Sequence, residues 1–294
     1  MSVTYTKERI SFDSEGATLR GYLYRAADAG PILIMAPGFG ALLGHSTLRF
    51  ADSLAAAGFN VLAFDNRGFG ESDGLPRQEV DPVMQKRAYR DAISFAQSLS
   101  GVDPARVGLW GSSYSGGHVI EVAAVDRRVR CVVTQVPTIS GHAQALRRTA
   151  PPNVAALLER FDADRLARYR GEAPATLPLV SADPSTPCVS PGPEAFAYYS
   201  IPGFVNAITL RSVELSRENE PGIYIARVSP TPMLMIVASH DTVTPTDLAL
   251  AAYNRALEPK RLMIVDGGHF SPYAQHFEAT SRAAADWFDA HLRR

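Results

Sequence analysis

Short apolar runs alternate with longer amphipathic stretches along this chain, and turn residues separate them. Pro31-Ile32-Leu33-Ile34-Met35-Ala36 is an unbroken apolar run of strand length, and the next strand is expected at residues 60–65, where Asn60 and Asp65 flank four apolar residues. A strand reads this way when both faces of its sheet are covered. Residues 106–110, 129–137, 232–238 and 261–265 repeat the pattern. Between these runs lie expected helices over 46–57, 81–99, 114–125, 245–257 and 277–292. The first is closed by Gly58, a good helix terminator. The second has Pro82 near its start and Ala88, Ala92, Phe95, Ala96 and Leu99 on one face. Residues 3–14 and 18–25 form an antiparallel opening pair. The alternation predicts an α/β fold, with a mostly parallel central sheet flanked by helices.

The rhythm stops between residues 141 and 230. A helical stretch over 153–170 carries Val154, Leu157, Leu158, Phe161, Leu166 and Tyr169. A proline-rich passage over 174–193 and two further helices follow. Aromatic and aliphatic residues recur throughout, so this segment is expected to be a helical cap inserted into a core domain of residues 1–140 and 231–294. Residues 141–230 would overlie the site and set substrate choice, with Leu157, Leu158, Phe161, Phe196, Tyr198, Tyr199 and Phe204 as candidate apolar lining. The length of 294 residues suits one large domain, or one with such an insertion. A net charge of −1 supplies no basic field for nucleic acid or an anionic membrane. Cys131 and Cys188 imply no disulfide framework, and Cys131 falls in an apolar strand as a small buried hydrophobe. The N-terminus lacks a signal-peptide apolar stretch, and no apolar run reaches membrane-spanning length. A cytoplasmic location and a small-molecule partner are the expectation, with a homodimer left open.

The chemistry concentrates in Trp110-Gly111-Ser112-Ser113-Tyr114-Ser115-Gly116-Gly117, between the strand at 106–110 and the helix at 114–125. A serine on a sharp strand-to-helix turn, with small residues two before and two after, is a nucleophile elbow. Ser113 fits, with Gly111 at −2, Ser115 at +2 and Gly116 at +3. The usual residue at +2 is glycine. A plain Gly/Ser turn joining strand to helix is the alternative.

A serine hydroxyl is a weak nucleophile and needs a base, which in turn needs an orienting acid. Asp241, just beyond the strand ending at Ala238, is the candidate acid; otherwise it is a turn aspartate. His269, in Val265-Asp266-Gly267-Gly268-His269-Phe270, is the candidate base; otherwise it is a surface histidine. All three fall at the carboxyl ends of expected strands, where open α/β sheets place their sites. The turn Ala36-Pro37-Gly38-Phe39-Gly40 offers the Phe39 N–H as one oxyanion donor, with the Tyr114 N–H as the second; otherwise it is a glycine-rich turn with no such role. The Asp65–Gly74 stretch reads as a structural loop beneath the site. His45 and His142 are candidate substrate contacts; otherwise each is a structural or surface histidine. No spaced ligand set suggests a metal, no phosphate-binding loop is present, and no cofactor is called for.

With these residues in place, the chain resembles the α/β-hydrolase superfamily along nearly its whole length. The elbow 110–118, together with Pro230-Thr231-Pro232-Met233-Leu234-Met235, Glu258-Pro259-Lys260 and Gly267-Gly268-His269-Phe270, is similar to the dienelactone-hydrolase and X-Pro-peptidase-like branch. Within it, these motifs are similar to the subgroup that includes fungal polyketide transferases and thiohydrolases, alongside many bacterial hydrolases. The resemblance implies a Ser-Asp-His hydrolase with a helical cap. Cleavage of carboxylic esters through an acyl-Ser113 intermediate is the expected activity. A thioester hydrolase or acyltransferase of a biosynthetic, polyketide-like pathway is the alternative. A binding role on the same fold is disfavoured because no member of the triad is missing. Dehalogenation is disfavoured because it requires a carboxylate at the elbow.

Overall fold

The computed structural model describes residues 4–26 and 29–293. Strands β1 (Thr6–Ser14) and β2 (Ala17–Arg25) pair antiparallel, as expected. Val3, the expected start of the first strand, lies outside the described residues. The chain continues through β3 (Gly30–Met35), α1 (Thr47–Ala56), β4 (Asn60–Phe64), α2 (Pro82–Ser98), β5 (Val102–Ser112), α3 (Tyr114–Val125) and β6 (Val129–Gln135). After the inserted segment it resumes with a strand at Met233–Ala238, a helix at Thr246–Arg255, a strand at Lys260–Val265 and a helix at Phe277–Leu292.

The inserted segment holds α4 (Gly141–Arg148), α5 (Val154–Tyr169), α6 (Pro193–Tyr199) and α7 (Leu210–Glu218). Between them run the two-residue strands β7 (Thr176–Leu177), β8 (Val180–Ser181), β9 (Ser190–Pro191) and β10 (Ile208–Thr209). A 3-10 stretch, Pro221–Arg227, leads back to the sheet. The resumed strands are therefore β11 and β12, and the helices α8 and α9.

The central sheet has the order β1-β2-β4-β3-β5-β6-β11-β12. From β4 to β12 all pairs are parallel, and β2 runs against its neighbours. Side chains alternate across the sheet along β3. Ile32 and Ile34 enter a cluster with Tyr89, Ala92, Val119 and Ala252 of α2, α3 and α8. Leu33 and Met35 enter another with Phe50, Leu54 and Phe288 of α1 and α9. Both faces are covered, which is why the strands read as continuous apolar runs. Helix α2 begins where the sequence predicts: Asp81 accepts from Val83 N (2.9 Å) and Met84 N (3.1 Å), and Pro82 follows it.

The insert departs beyond β6 and packs on loops at the carboxyl edge of the sheet. Leu179 and Ala195 meet Phe39 and Phe270, while Ile208 meets Tyr114. Arg147 forms a two-pronged ion pair with Asp247 (both 2.6 Å), and Val80 N donates to Ser212 Oγ (2.7 Å). The proline-rich passage is not formless, because its two-residue strands tie it into short ribbons.

Candidate active site

Ser113 lies between β5 and α3 with φ 59° and ψ −119°. This left-handed conformation is costly for a residue with a Cβ and persists only when its surroundings hold it. They do so on both sides. Ser113 N donates to Gln135 O (2.9 Å), and Ser113 O accepts from Thr138 N (2.9 Å). The need for small neighbours is steric. A Cβ on Gly111 would come within 2.3 Å of Ser115 O, and one on Gly116 within 3.0 Å of Gln135 O. The departure from glycine at +2 has its own reason. Ser115 Oγ accepts from Ser112 N (2.9 Å) and donates to Ser112 O (2.9 Å), which closes the turn.

The structure brings Ser113, Asp241 and His269 together. Ser113 Oγ is 2.9 Å from His269 Nε2, and His269 Nδ1 is 2.7 Å from Asp241 Oδ2. Asp241 and His269 are each only 5% exposed. With Asp241 ionised, Nδ1–H donates to the carboxylate and Nε2 is left to accept from the serine hydroxyl. Burial alone would raise the Asp241 carboxyl, but the His269 charge and hydrogen bond outweigh it, helped by donors from Thr244, and hold it below the usual range. Asp241 Oδ1 accepts from Val243 N and Thr244 N, both at 2.8 Å. The neighbouring serines are otherwise engaged, since Ser112 Oγ lies 2.7 Å from Tyr273 OH and Ser115 closes the turn.

Gly38 packs against the elbow. A Cβ there would lie 3.4 Å from Ser113 Cβ and 3.6 Å from Tyr114 N. Among the described residues, neither the Phe39 N–H nor the Tyr114 N–H meets an acceptor. Tyr199 OH donates to Phe39 O (2.7 Å), and Asn66 Nδ2 donates to Pro37 O (3.1 Å), so the turn is held from above and below. The 65–74 loop is braced as a structural element: Asp65 Oδ1 accepts from Leu43 N (2.9 Å) and Ser72 Oγ donates to Asp65 O (2.7 Å).

Ser113 opens into a cavity of about 800 Å³ between the sheet edge and the insert. Two expected substrate contacts are not part of its lining. His45 is turned under the insert, with Nε2 3.2 Å from Tyr199 O and its ring against Tyr198, Tyr199 and Phe204. Burial lowers its pKa, against the pull of its backbone partners. It pins the insert to the turn before α1. His142 is exposed, and its N–H donates to Glu220 Oε1 (2.9 Å). Of the expected apolar lining, Leu157, Tyr198 and Tyr199 reach the cavity. Leu158 and Phe196 face outward, Phe161 is buried, and Phe204 packs on Tyr199.

Sequence reasoning passed over Thr244, whose Oγ1 lies 2.8 Å from both Val136 O and Asp241 Oδ2 and 3.2 Å from His269 Nδ1. Its place three residues after Asp241 was the available signal, because Asp and Thr commonly close such turns on their own backbone. Among the described residues there is no cluster suited to a metal ion, and no helix is long and apolar enough to cross a membrane.

Sheet order, elbow and crossover insertion define an α/β hydrolase, and the chain belongs to the alpha/beta hydrolase fold family, which it matches over residues 31–274. It is 30% identical over 274 residues to a thiohydrolase of Eupenicillium brefeldianum, covering 90% of this chain and 87% of that one. It is 31% identical over 290 residues to the quorum-quenching protein AidA of Acinetobacter baumannii, covering 95% and 92%. Its structure is similar to that of the alpha/beta hydrolase GrgF from Penicillium sp. sh18, with a TM-score of 0.86 at 29% identity, covering 98% of this chain and 100% of that one.

Proposed function

We propose that this protein cleaves acyl esters and thioesters through an acyl-Ser113 intermediate, with Asp241 and His269 completing a catalytic triad. The observation that carries this reading is the unbroken relay Ser113 Oγ–His269 Nε2 (2.9 Å) and His269 Nδ1–Asp241 Oδ2 (2.7 Å) at the base of a cavity. In the proposed reaction the neutral imidazole takes the Ser113 proton as Oγ attacks the acyl carbonyl. The Phe39 and Tyr114 N–H groups receive the developing oxyanion. His269 returns the proton to the departing alcohol or thiol, and Asp241 stabilises the transient imidazolium. Water, activated by the same imidazole, then releases the acid and restores Ser113. No cofactor enters these steps.

The thioester as donor draws support from the likeness to a protein named thiohydrolase, and the oxoester remains the second substrate of the same intermediate. Transfer to an alcohol or amine in place of water would use the same acyl-enzyme. Residues 141–230, read as a cap, would govern it by excluding water.

The test is covalent and kinetic. A fluorophosphonate probe should label Ser113, located by peptide mapping. Ser113→Ala should abolish labelling and lower turnover of both p-nitrophenyl esters and acyl thioesters by about a thousandfold or more. Labelling at Ser112 or Ser115, or undiminished turnover by Ser113→Ala, overturns the assignment. A wild-type kcat/KM far higher for oxoesters than for matched thioesters would return the reading to a carboxylesterase.

A further inference from the structure

The charged side chains lining the cavity are of one sign. Helix α4 turns Gln144, Ala145 and Arg148 toward it, a spacing that marks one helical face. Leu157 and Arg160 of α5, and Ser216 and Arg217 of α7, do the same. Each helix thus brings an arginine to the cavity. Among the described residues, no aspartate or glutamate lines it.

The other arginines of these helices are neutralised. Arg147 pairs with Asp247 (2.6 Å), Arg165 with Glu214 and with Asp162 (2.6 Å), and Arg168 with Asp164 (2.8 Å). Arg148, Arg160 and Arg217 have no carboxylate within ion-pair distance among the described residues. Adjacent residues on α4 show the contrast: Arg147 turns outward to a partner, and Arg148 turns toward the cavity, where it donates to Val243 O (2.5 Å). Arg148 lines the cavity and is exposed to solvent. Desolvation lowers its pKa, while Asp241 and Tyr199 pull it back up. A guanidinium has five N–H donors, and the Val243 carbonyl leaves most of them without a protein acceptor. Exposed along the cavity and without a carboxylate partner, the guanidinium is free to take up an anion that enters.

We propose that the substrate carries an anionic group, a carboxylate or a phosphate, which Arg148 binds inside the cavity and Arg160 and Arg217 help to draw in. The inference deepens the acyl-Ser113 reading and rests on it. Both groups match the guanidinium fork and accept two parallel hydrogen bonds from it. The carboxylate would belong to the far end of the acyl chain. The phosphate would belong to the thiol portion of a thioester.

Two matched substrate pairs separate these sources. The first is mono-p-nitrophenyl adipate against its methyl ester, which lacks the charge. The second is hexanoyl-coenzyme A against the hexanoyl thioester of N-acetylcysteamine, which lacks the phosphates. In wild type the anionic member of one pair should be preferred by about tenfold or more in kcat/KM, the effect of a charge-assisted hydrogen bond. The pair that shows the preference identifies the source. Arg148→Gln should lower that ratio at least about fivefold, with a smaller drop in Arg217→Gln. A ratio near one in both wild-type pairs overturns the proposal, as does a ratio that Arg148→Gln leaves unchanged in folded protein. If Ser113→Ala retains hydrolysis, the nucleophile assignment fails, and the anion site is judged by calorimetric titration of adipate and of pantetheine 4′-phosphate. Millimolar binding that Arg148→Gln removes supports the site, and no binding of either anion overturns it.

Discussion

Thr244 has one hydroxyl proton and two acceptors at 2.8 Å, the Val136 carbonyl and Asp241 Oδ2. Given to Val136 O it ties the loop bearing the proposed acid to the chain just past β6, and given to Oδ2 it supports the carboxylate. Thr244→Val keeps the shape and removes this tie. Turnover should fall about tenfold with little change in KM, and Thr244→Ser should restore it. Removing a donor from the carboxylate also raises the Asp241 pKa, so the acid limb of the kcat profile should move to higher pH. A uniform loss of activity with an unshifted limb would leave Thr244 a merely structural residue. Asp65 shows the opposite balance. Burial raises its carboxyl to about 6, against the Leu43 and Glu71 N–H groups that lower it. Between about pH 4 and 6 the folded chain therefore holds a proton that the unfolded chain releases. Its contribution to stability falls as pH rises through that window and is constant above it. Asp65→Asn cannot titrate, so wild-type stability relative to the variant should drop by up to about 3 kcal/mol from pH 4 to pH 7. Chemical denaturation of both proteins at the two pH values checks this, and a difference that is flat with pH refutes it.

At the scale of elements, the elbow was legible because its constraint is local. Three small residues around one serine state a local requirement that shows in the sequence; in the structure Gly111 and Gly116 meet backbone closely, and Ser115 closes the turn by hydrogen bonds. Gly111→Ala should lower stability by about 2 kcal/mol, read from the urea midpoint, since the Ser115 carbonyl cannot move without opening the turn. Ser115→Ala should cost about 1 kcal/mol, because it removes hydrogen bonds and adds no clash. Equal effects would mean that hydrogen bonding, not space, sets the turn. The ribbons of the proline-rich passage were illegible for a related reason: two-residue strands are too short to show a period of two. The places of the histidines were hidden for another reason. His45 follows the oxyanion turn in sequence, but nothing in the sequence tells that its ring meets the Tyr199 carbonyl 154 residues away.

For the molecule as a whole, strand runs covered on both faces specify a parallel sheet, and a parallel sheet collects its loops at one edge. That is why Ser113, Asp241 and His269 could be grouped from residues far apart in sequence. The division of the insert's apolar residues could not be read, because lining a cavity and joining two helices require the same side chains. Leu157 of α5 is an aliphatic member that does line the cavity. Leu157→Trp should shift the best p-nitrophenyl ester toward shorter acyl chains, while Leu158→Ala, at an exposed position, should leave the ranking alone. An unchanged ranking in Leu157→Trp would put the limit elsewhere. One junction links these levels. Ser113 is suspended between the Gln135 carbonyl and the Thr138 N–H, and the chain passes from one to the other just before it becomes the insert. The tether of the insert is thus also the mount of the nucleophile. Any tug that shifts the insert pulls on the peptide units that keep Ser113 in its strained backbone, so loosening the roof would detune the serine as well as open the cavity.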